Sequence, residues 1–192
     1  MLIEVEETPN PESLKFRPGV RVALSGSADF VHPGSAEGRS PLAVELFSVP
    51  GVQRVFLGAD LVAVTKSPTT AWDDVLPFVM TVMTDFFATG QPALTSGPVL
   101  PLVRPLNPSD KALVAALELV LAHHVRPMVA RDGGDVAFRG YDQGTVYLTL
   151  MGACTDCPSA QLTLKGGVER ILKQHLPTIS TVVAVEEGDN QS

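Results

Sequence analysis

The stretch TVYLTLMGACTDCPSA, residues 145–160, decides the fold of the C-terminal half of the chain. Its first six residues alternate between polar and apolar side chains, and this period of two predicts a half-buried β-strand. Gly152 lets the chain leave that strand at an angle that a β-carbon would oppose. Pro158 suits the first turn of a helix, so Cys154 and Cys157 are predicted to lie on a loop between a strand and a helix.

The segments around this stretch predict a two-layer α+β domain with the element order α-β-β-α-β. The predicted elements are a helix over 107–125, a strand that reaches residue 141, the strand of residues 145–150, a helix over 158–175 and a strand over 180–185. Pro127 is expected to limit the C-terminal end of the first helix, because proline has no N–H to donate. His124 and His175 fall on the apolar faces of the two helices, which predicts that they belong to the core or its rim rather than to a metal site.

The N-terminal part also mixes strands and helices. Period-two and β-rich runs predict strands over 2–7, 14–16, 21–24, 52–56 and 61–65. Ser40 is placed to cap a short helix that ends before Pro50, and a longer helix is predicted over 72–88 despite Pro77. Residues 25–40, rich in Gly, Ser and Pro, are expected to form a surface loop. The predicted fold class is therefore α+β, built from two small two-layer domains.

A proline-rich stretch is predicted to separate the chain into two domains. Five of its 16 prolines lie within residues 91–108, a stretch with no helical or strand period, and such density predicts an extended connector. We therefore expect an N-terminal domain over 1–90, a Pro-rich linker over 91–106, a C-terminal domain over 107–187 and a tail over 188–192.

Composition excludes several classes of protein. The 192 residues are 45% hydrophobic, which is enough for a packed core, and 14 Lys and Arg against 21 Asp and Glu give a net charge of −7. This balance argues against binding to nucleic acid or anionic lipid, since both need clustered cations. No uninterrupted apolar run approaches the length that spans a bilayer. The acidic start of the chain does not look like a targeting peptide, so we expect a bacterial cytoplasmic protein; an organelle protein without its transit peptide would look the same.

The cysteine pair is the candidate for chemistry. Cys154 and Cys157 are the chain's two cysteines, and a C-x-x-C spacing lets both sulfurs reach a single centre. The N-terminus of the following helix favours their thiolate form. A [4Fe–4S] cluster or a structural zinc site takes four ligands, whereas one chain offers two thiolates and no fitting histidine spacing. Two copies of the chain sharing one centre across a twofold axis would supply the four sulfurs.

Two other functions compete with an iron–sulfur site. A thiol–disulfide oxidoreductase would use Cys154 as nucleophile and Cys157 as the resolving thiol. A thioredoxin-like enzyme, however, places its C-x-x-C after the first strand of a βαβ unit, while here the pair follows a hairpin near the end of the chain. A Zn²⁺-bridged structural dimer is the third interpretation, because tetrahedral sulfur ligation suits zinc as well.

MGACTDCPSA, together with RPMVARDGGDV at residues 126–136, resembles the NifU-like C-terminal domain of Nfu-type iron–sulfur cluster scaffold and carrier proteins. TPNPESLKF, SPLAVELF, GVQRVFLGADLVAVTK and the region from Trp72 to Phe87 resemble the Nfu N-terminal domain. The resemblance implies that Cys154 and Cys157 ligate a [4Fe–4S] cluster bridged between two protomers and that the cluster passes to apo-proteins. A [2Fe–2S] cluster also takes four thiolates.

The same resemblance implies a non-enzymatic carrier. Its partners would be a second copy of itself, apo iron–sulfur clients and upstream assembly proteins. Two neighbouring motifs have plainer interpretations. Gly133 and Gly134 are predicted to reverse the chain between helix and strand, with Asp132 and Asp135 accepting bonds from nearby backbone amides. The TPNP segment is predicted to be a turn at a strand edge.

Overall fold

The structure is a computed structural model that describes residues 2–24, 26–95, 101–153, 155 and 158–186, and only the backbone of residues 158–164. The chain separates into two compact units, Met1–Pro98 (unit 1) and Val99–Ser192 (unit 2). Each unit has its own sheet and its own apolar core. The predicted α+β class is confirmed.

Unit 1 is a five-stranded antiparallel sheet with three helices. Its strands are β1 (Glu4–Glu7), β2 (Ser13–Arg17), β3 (Ala28–Phe30), β4 (Val52–Leu57) and β5 (Val62–Lys66), in the order β1-β2-β5-β4-β3. The helices are α1 (Pro33–Ala36), α2 (Pro41–Phe47) and α3 (Trp72–Ala88). The buried residues of α3, at Val75, Val79, Met83 and Phe86, repeat every three or four positions and join the core beside the sheet.

Two sequence predictions in unit 1 are wrong. Residues 21–24 form no strand; Val22 instead makes one backbone bond, from its N to the carbonyl of Ala59. The predicted surface loop over 25–40 contains β3, whose three residues are all buried, and the short helix α1. The Gly, Ser and Pro content of this region obscured a strand of only three residues, which tertiary contacts rather than local propensity stabilise.

The predicted start of α2 is confirmed. The Ser40 side chain accepts a hydrogen bond from the N–H of Ala43 at 3.0 Å and donates to the carbonyl of Ala93 at 2.6 Å. Ser40 therefore satisfies a free amide of the helix and at the same time holds the chain beyond α3.

Unit 2 has the predicted order of elements. A 3₁₀ turn leads into α4 (Lys111–Val120), and a π-helical turn (Leu121–Val125) connects it to α5 (Arg126–Arg131). The antiparallel strands β6 (Gly134–Asp142) and β7 (Thr145–Gly152), then α6 (Pro158–His175) and β8 (Thr181–Ala184), complete the unit, with β8 parallel to β7. The core lies between the helices and one face of this sheet.

The expectation that Pro127 limits the first helix is wrong. The helical path continues to Arg131, because the π turn widens the helix just before the proline. The N–H of Arg126 donates to the carbonyl of Leu121, five residues back. A π turn at this point accommodates the missing proline N–H and the bulk of its ring.

Among the described residues, one helical segment, Pro108–Arg131, is long and apolar enough by length and composition to cross a membrane. A core helix of a soluble protein passes the same test. Leu117, Leu121, Val125 and Val129 are fully buried and pack with the sheet of unit 2. The segment is not an uninterrupted apolar run, since it contains Glu118 and Arg126.

The described residues at each end of the Pro-rich segment are held by their own unit. In unit 1, Ala93 is buried and the N–H of Thr95 donates to the carbonyl of Arg39 at 2.8 Å. In unit 2, Nε of Arg139 donates to the carbonyl of Pro101 at 2.8 Å, and the N–H of Val103 donates to the carbonyl of Arg139 at 2.7 Å. The domain limits at 90, 106 and 187 stay a prediction.

Candidate functional site

The predicted cysteine ligands, Cys154 and Cys157, lie outside the described residues, so the structure describes what surrounds them. The loop that carries them leaves the end of β7 and enters α6 at Pro158, as the sequence predicts. Gly152 has a φ of 77°, a left-handed conformation that a side chain would disfavour. This glycine therefore sets the direction in which the loop leaves the sheet.

The backbone on both sides of position 154 is anchored. The N–H of Ala153, a buried residue, donates to the carbonyl of Gly133 at 3.2 Å. The N–H of Thr155 donates to the carbonyl of Gly152 at 3.1 Å, and its hydroxyl donates to the carbonyl of Leu150 at 3.3 Å. These bonds tie the start of the loop to β7 on one side and to the glycine turn on the other.

The turn over residues 132–135 has the predicted role of reversing the chain between α5 and β6. Gly133 has a φ of 79°, and Gly134 already pairs with Gly152 across the sheet. The Asp135 carboxylate accepts a bond from the N–H of Val136 at 2.7 Å. Because Gly133 also receives the bond from Ala153, the two motifs of unit 2 lie in direct contact.

A cation lies beside this turn. Nε of Arg126, at the start of α5, is 3.6 Å from the Asp135 carboxylate, and its guanidinium is 3.7 Å from the carboxylate of Glu118. Asp135 is opposite Met151 in the β6–β7 register, one residue before Gly152. The cation at this turn is therefore paired with two carboxylates, Glu118 and Asp135.

The histidines do not gather into a site within the described residues. His124 and His175 are both exposed, and their rings stack at 4.3 Å between centroids. They do not belong to the apolar core, because the π turn moves His124 off the buried stripe of the helix. His32 caps α1 by accepting a bond from the N–H of Ser35 at 3.1 Å. Among the described residues, no three His, Cys, Asp or Glu side chains are grouped as metal ligands.

In unit 1, the TPNP segment is a turn, as predicted. The Thr8 hydroxyl donates to the carbonyls of Asn10 and Ser13 at 2.9 and 3.0 Å, and the Asn10 side chain accepts from the N–H of Glu12. Unit 1 also has an open groove of about 630 Å³, lined by Leu2, Glu4, Arg17, Val20, Arg21 and Asp60 among others. This groove could not be predicted from the sequence, because its lining comes from three separate segments.

Comparison with known proteins assigns the chain to a family. Residues 3–90 match the model of the scaffold protein Nfu/NifU N-terminal family, and residues 117–183 match the NifU-like domain. The NFU1 iron-sulfur cluster scaffold homolog, mitochondrial, of Drosophila simulans is 42% identical over 98% of this chain and 67% of its own length. The chain belongs to the Nfu family. This confirms the resemblance seen in its sequence.

A second curated relative supports the assignment of this chain to the Nfu family. NifU-like protein 4, mitochondrial, of Arabidopsis thaliana is 40% identical over 100% of this chain and 68% of its own length. The solution structure of a NifU-like protein from Saccharomyces cerevisiae aligns with a TM-score of 0.45 and 24% identity, over 50% of this chain and 85% of that one. Both curated relatives are named as mitochondrial, so the expectation of a bacterial cytoplasmic protein finds no support in them.

Proposed function

We propose that this Nfu-family chain carries a labile [4Fe–4S] cluster between two copies of itself, through Cys154 and Cys157 of each, and passes it to apo-proteins. The number and the positions of the cysteines are the main support for this proposal. The chain has two cysteines, three positions apart, on the loop between β7 and α6. Hydrogen bonds from Ala153 and Thr155 anchor the backbone around the first of them. One copy thus supplies half of the four thiolates that a cluster takes.

Such a site suits temporary holding of its cargo. Each copy contributes two iron–sulfur bonds, so an acceptor's thiolates can replace them in turn without any net change in the electron count of the cluster. Thiolates rather than thiols are the ligands, and loading the cluster therefore releases protons. The N-terminal end of α6, which begins directly after Cys157 in the sequence, favours the charged form.

The partners follow from the same proposal. The Drosophila simulans relative is named an iron-sulfur cluster scaffold homolog, which supports a carrier without catalytic turnover. We propose that its partners are a second copy, apo iron–sulfur clients and upstream assembly proteins. Both curated relatives are named as mitochondrial, which supports the proposal that this chain is an organelle protein.

Anaerobic reconstitution with iron and sulfide tests the proposal. We expect about two irons and two acid-labile sulfides per chain, a broad visible absorbance, and conversion of the chain to a dimer on loading. Iron and sulfide assays, with analytical ultracentrifugation of the same sample, measure all three. A loaded monomer whose metal is fully ligated would contradict the proposal.

Serine variants locate the ligands. Cys154→Ser or Cys157→Ser removes two of the four sulfurs from the dimer, so each should abolish stable cluster binding. Thr155→Ser is the matched control, since it keeps both thiols and the hydroxyl that donates to Leu150. All three variants should keep the far-UV circular dichroism of the apo-protein, because both cores are built without metal. A colourless protein that reduces a test disulfide would identify an oxidoreductase, and bound zinc after reconstitution would identify a structural dimer.

A further inference from the structure

One exposed face of α3 is acidic and carries an aromatic side chain. The acidic stripe consists of Asp74, Pro77, Phe78, Thr81 and Asp85, whose spacing places them on one side of the helix. All five are exposed, and Phe78 is 60% exposed, while the opposite face of α3 is buried in the core of unit 1. Within the residues that the structure describes, Phe78 is the one Phe, Tyr or Trp whose side chain is exposed.

The charge on this helix is of one sign. α3 contains Asp73, Asp74 and Asp85 and no basic residue. In the part of the chain that the structure describes, none of these three carboxylates forms an ion pair. Four of the cations of unit 1 pair instead with carboxylates of the sheet and its turns: Lys15, Arg17, Arg54 and Lys66. The negative charge of the stripe is therefore left for solvent or for another molecule.

We propose that the acidic stripe is a docking surface for a cationic segment of a partner protein, with Phe78 as its apolar anchor. Aromatic residues are enriched at the centres of interfaces, and Phe78 is the aromatic centre of this face. Carboxylates on either side of Phe78 complement Lys or Arg of a partner segment whose apolar side chains pack on the ring, and they speed association. The surface belongs to unit 1, so the proposal does not depend on the cluster.

A second copy of the chain does not suit this surface. Twofold pairing of the stripe with itself would bring Asp74 and Asp85 of one copy against the same carboxylates of the other. The charge pattern therefore selects a partner of the opposite sign.

A helical Lys/Leu peptide, titrated into the full-length apo-protein, is the probe. We expect its binding to shift backbone amide resonances of α3 around Phe78 and to weaken as salt rises from about 0.05 to 0.3 M, because the contact is electrostatic and exposed. A Glu/Leu peptide of the same length should bind at least tenfold more weakly. ¹H–¹⁵N spectra recorded along both titrations give the location and the affinity together.

Variants separate the anchor from the charge. Phe78→Ala should weaken binding about tenfold at every salt concentration, as loss of a central anchor does. Asp74→Asn with Asp85→Asn should weaken it at low salt and remove most of the salt dependence. The matched controls are Leu24→Ala, at a side chain that is 81% exposed, and the pair Glu37→Gln with Glu45→Gln; neither should change the affinity by more than twofold.

Three outcomes would overturn the proposal. The peptide shifts could centre on the acidic strand β1 instead of α3. Phe78→Ala could have no larger effect than Leu24→Ala. The apo-protein could sediment as a dimer that Phe78→Ala dissociates, which would assign the stripe to contacts between copies. Iron loading by the Cys154 and Cys157 site is unaffected by any of these results, so this proposal and the proposed function fail separately.

Discussion

The two units bury charge in different ways. In unit 1, Asp29 on β3 and Arg54 on β4 form a two-pronged pair, with Nε–Oδ1 and Nη2–Oδ2 distances both 2.9 Å, and their side chains are 2% and 11% exposed. In unit 2, Arg139 on β6 is fully buried and has no carboxylate partner among the described residues. It donates to the Pro101 carbonyl and to the Thr149 hydroxyl, both at 2.8 Å.

The difference shows what each charge holds in place. The Asp29–Arg54 pair joins two adjacent strands, so the charge of Arg54 is neutralised by a carboxylate within the same sheet. Arg139 joins its strand to a residue 38 positions earlier, and Thr149 passes the connection on to the carbonyl of Val185 at 2.9 Å. Its Nη2 is buried and has no hydrogen-bond partner within the residues that the structure describes. The end of the Pro-rich segment is therefore part of what stabilises unit 2.

Breaking the Asp29–Arg54 ion pair should have the largest effect on stability. Asp29→Ala leaves the buried Arg54 guanidinium without that carboxylate, and we expect it to destabilise unit 1 by about 3–5 kcal/mol. The chain's one tryptophan, Trp72, lies in unit 1, so its fluorescence during urea unfolding reports this unit. Asp73→Ala, at an exposed carboxylate that forms no ion pair with any described residue, is the control and should change little. A loss below about 1 kcal/mol for Asp29→Ala would show that the pair is no stronger than a surface ion pair.

Replacing Arg139 should have the next largest effect, and it should depend on the replacement. Arg139→Ala removes a buried side chain and its bonds, so we expect unit 2 to lose about 3 kcal/mol. Arg139→Met fills the same space without a buried charge and should cost about 1 kcal/mol. Both tyrosines, Tyr141 and Tyr147, lie in unit 2 and report its unfolding by near-UV absorbance.

Hydrogen exchange at Val103 tests whether Arg139 holds the Pro-rich segment. The N–H of Val103 is bonded to the Arg139 carbonyl, and that bond depends on the segment staying in place. Exchange at this amide should accelerate in both Arg139 variants, while amides in the middle of β7 stay protected in Arg139→Met. Unchanged exchange at Val103 would show that Arg139 does not retain the segment.

Sequence patterns predicted the elements whose residues carry a clear period. The limits of α3 and α6 and the strand before the cysteines follow from periodicity and from the positions of Gly152 and Pro158. The pattern did not reveal β3, because three residues are too few to show a period and Asp29 looks like a loop residue until its pairing with Arg54 is known. Burial of Arg139 was equally hidden, since the β6–β7 register shifts between Phe138 and Gly140.

The candidate site was likewise only partly predictable from the sequence. Its place between a strand and a helix could be predicted from local residues. The contact between Ala153 and Gly133 could not, because it joins residues 20 positions apart through the pairing of β6 with β7. Stacking of His124 on His175 was hidden by the π turn, which changes the face that His124 occupies.

The smallest effect expected is a difference in how the two units respond to acid. In unit 2, hydrogen bonds from the Lys173 side chain and then from the Val182 N–H lower the pKa of Glu169 below its usual 4.5. In unit 1, a hydrogen bond from Lys15 is the main cause that lowers the pKa of Glu6, a carboxylate that is 41% exposed. Because each carboxylate binds its proton less readily in the folded chain, each contributes stability that is complete above its unfolded pKa. That stability is lost as the pH falls through the folded value.

Glutamine variants should separate these two carboxylates. In Glu169→Gln, the urea midpoint of unit 2 should decrease less between about pH 5 and pH 3 than it does in the unsubstituted chain. Glu6→Gln should have the same effect on the urea midpoint of unit 1. Salt distinguishes them further, because Lys15, the main partner of Glu6, has a side chain that is 3% exposed, whereas the Lys173 side chain beside Glu169 is 43% exposed. Salt screens the exposed Lys173 contact more strongly, so at about 0.5 M salt the contribution of Glu6 should persist and that of Glu169 should shrink to what the bond from the Val182 backbone supplies. An undiminished contribution of Glu169 would mean that the link from α6 to β8, rather than the Lys173 contact, controls its protonation.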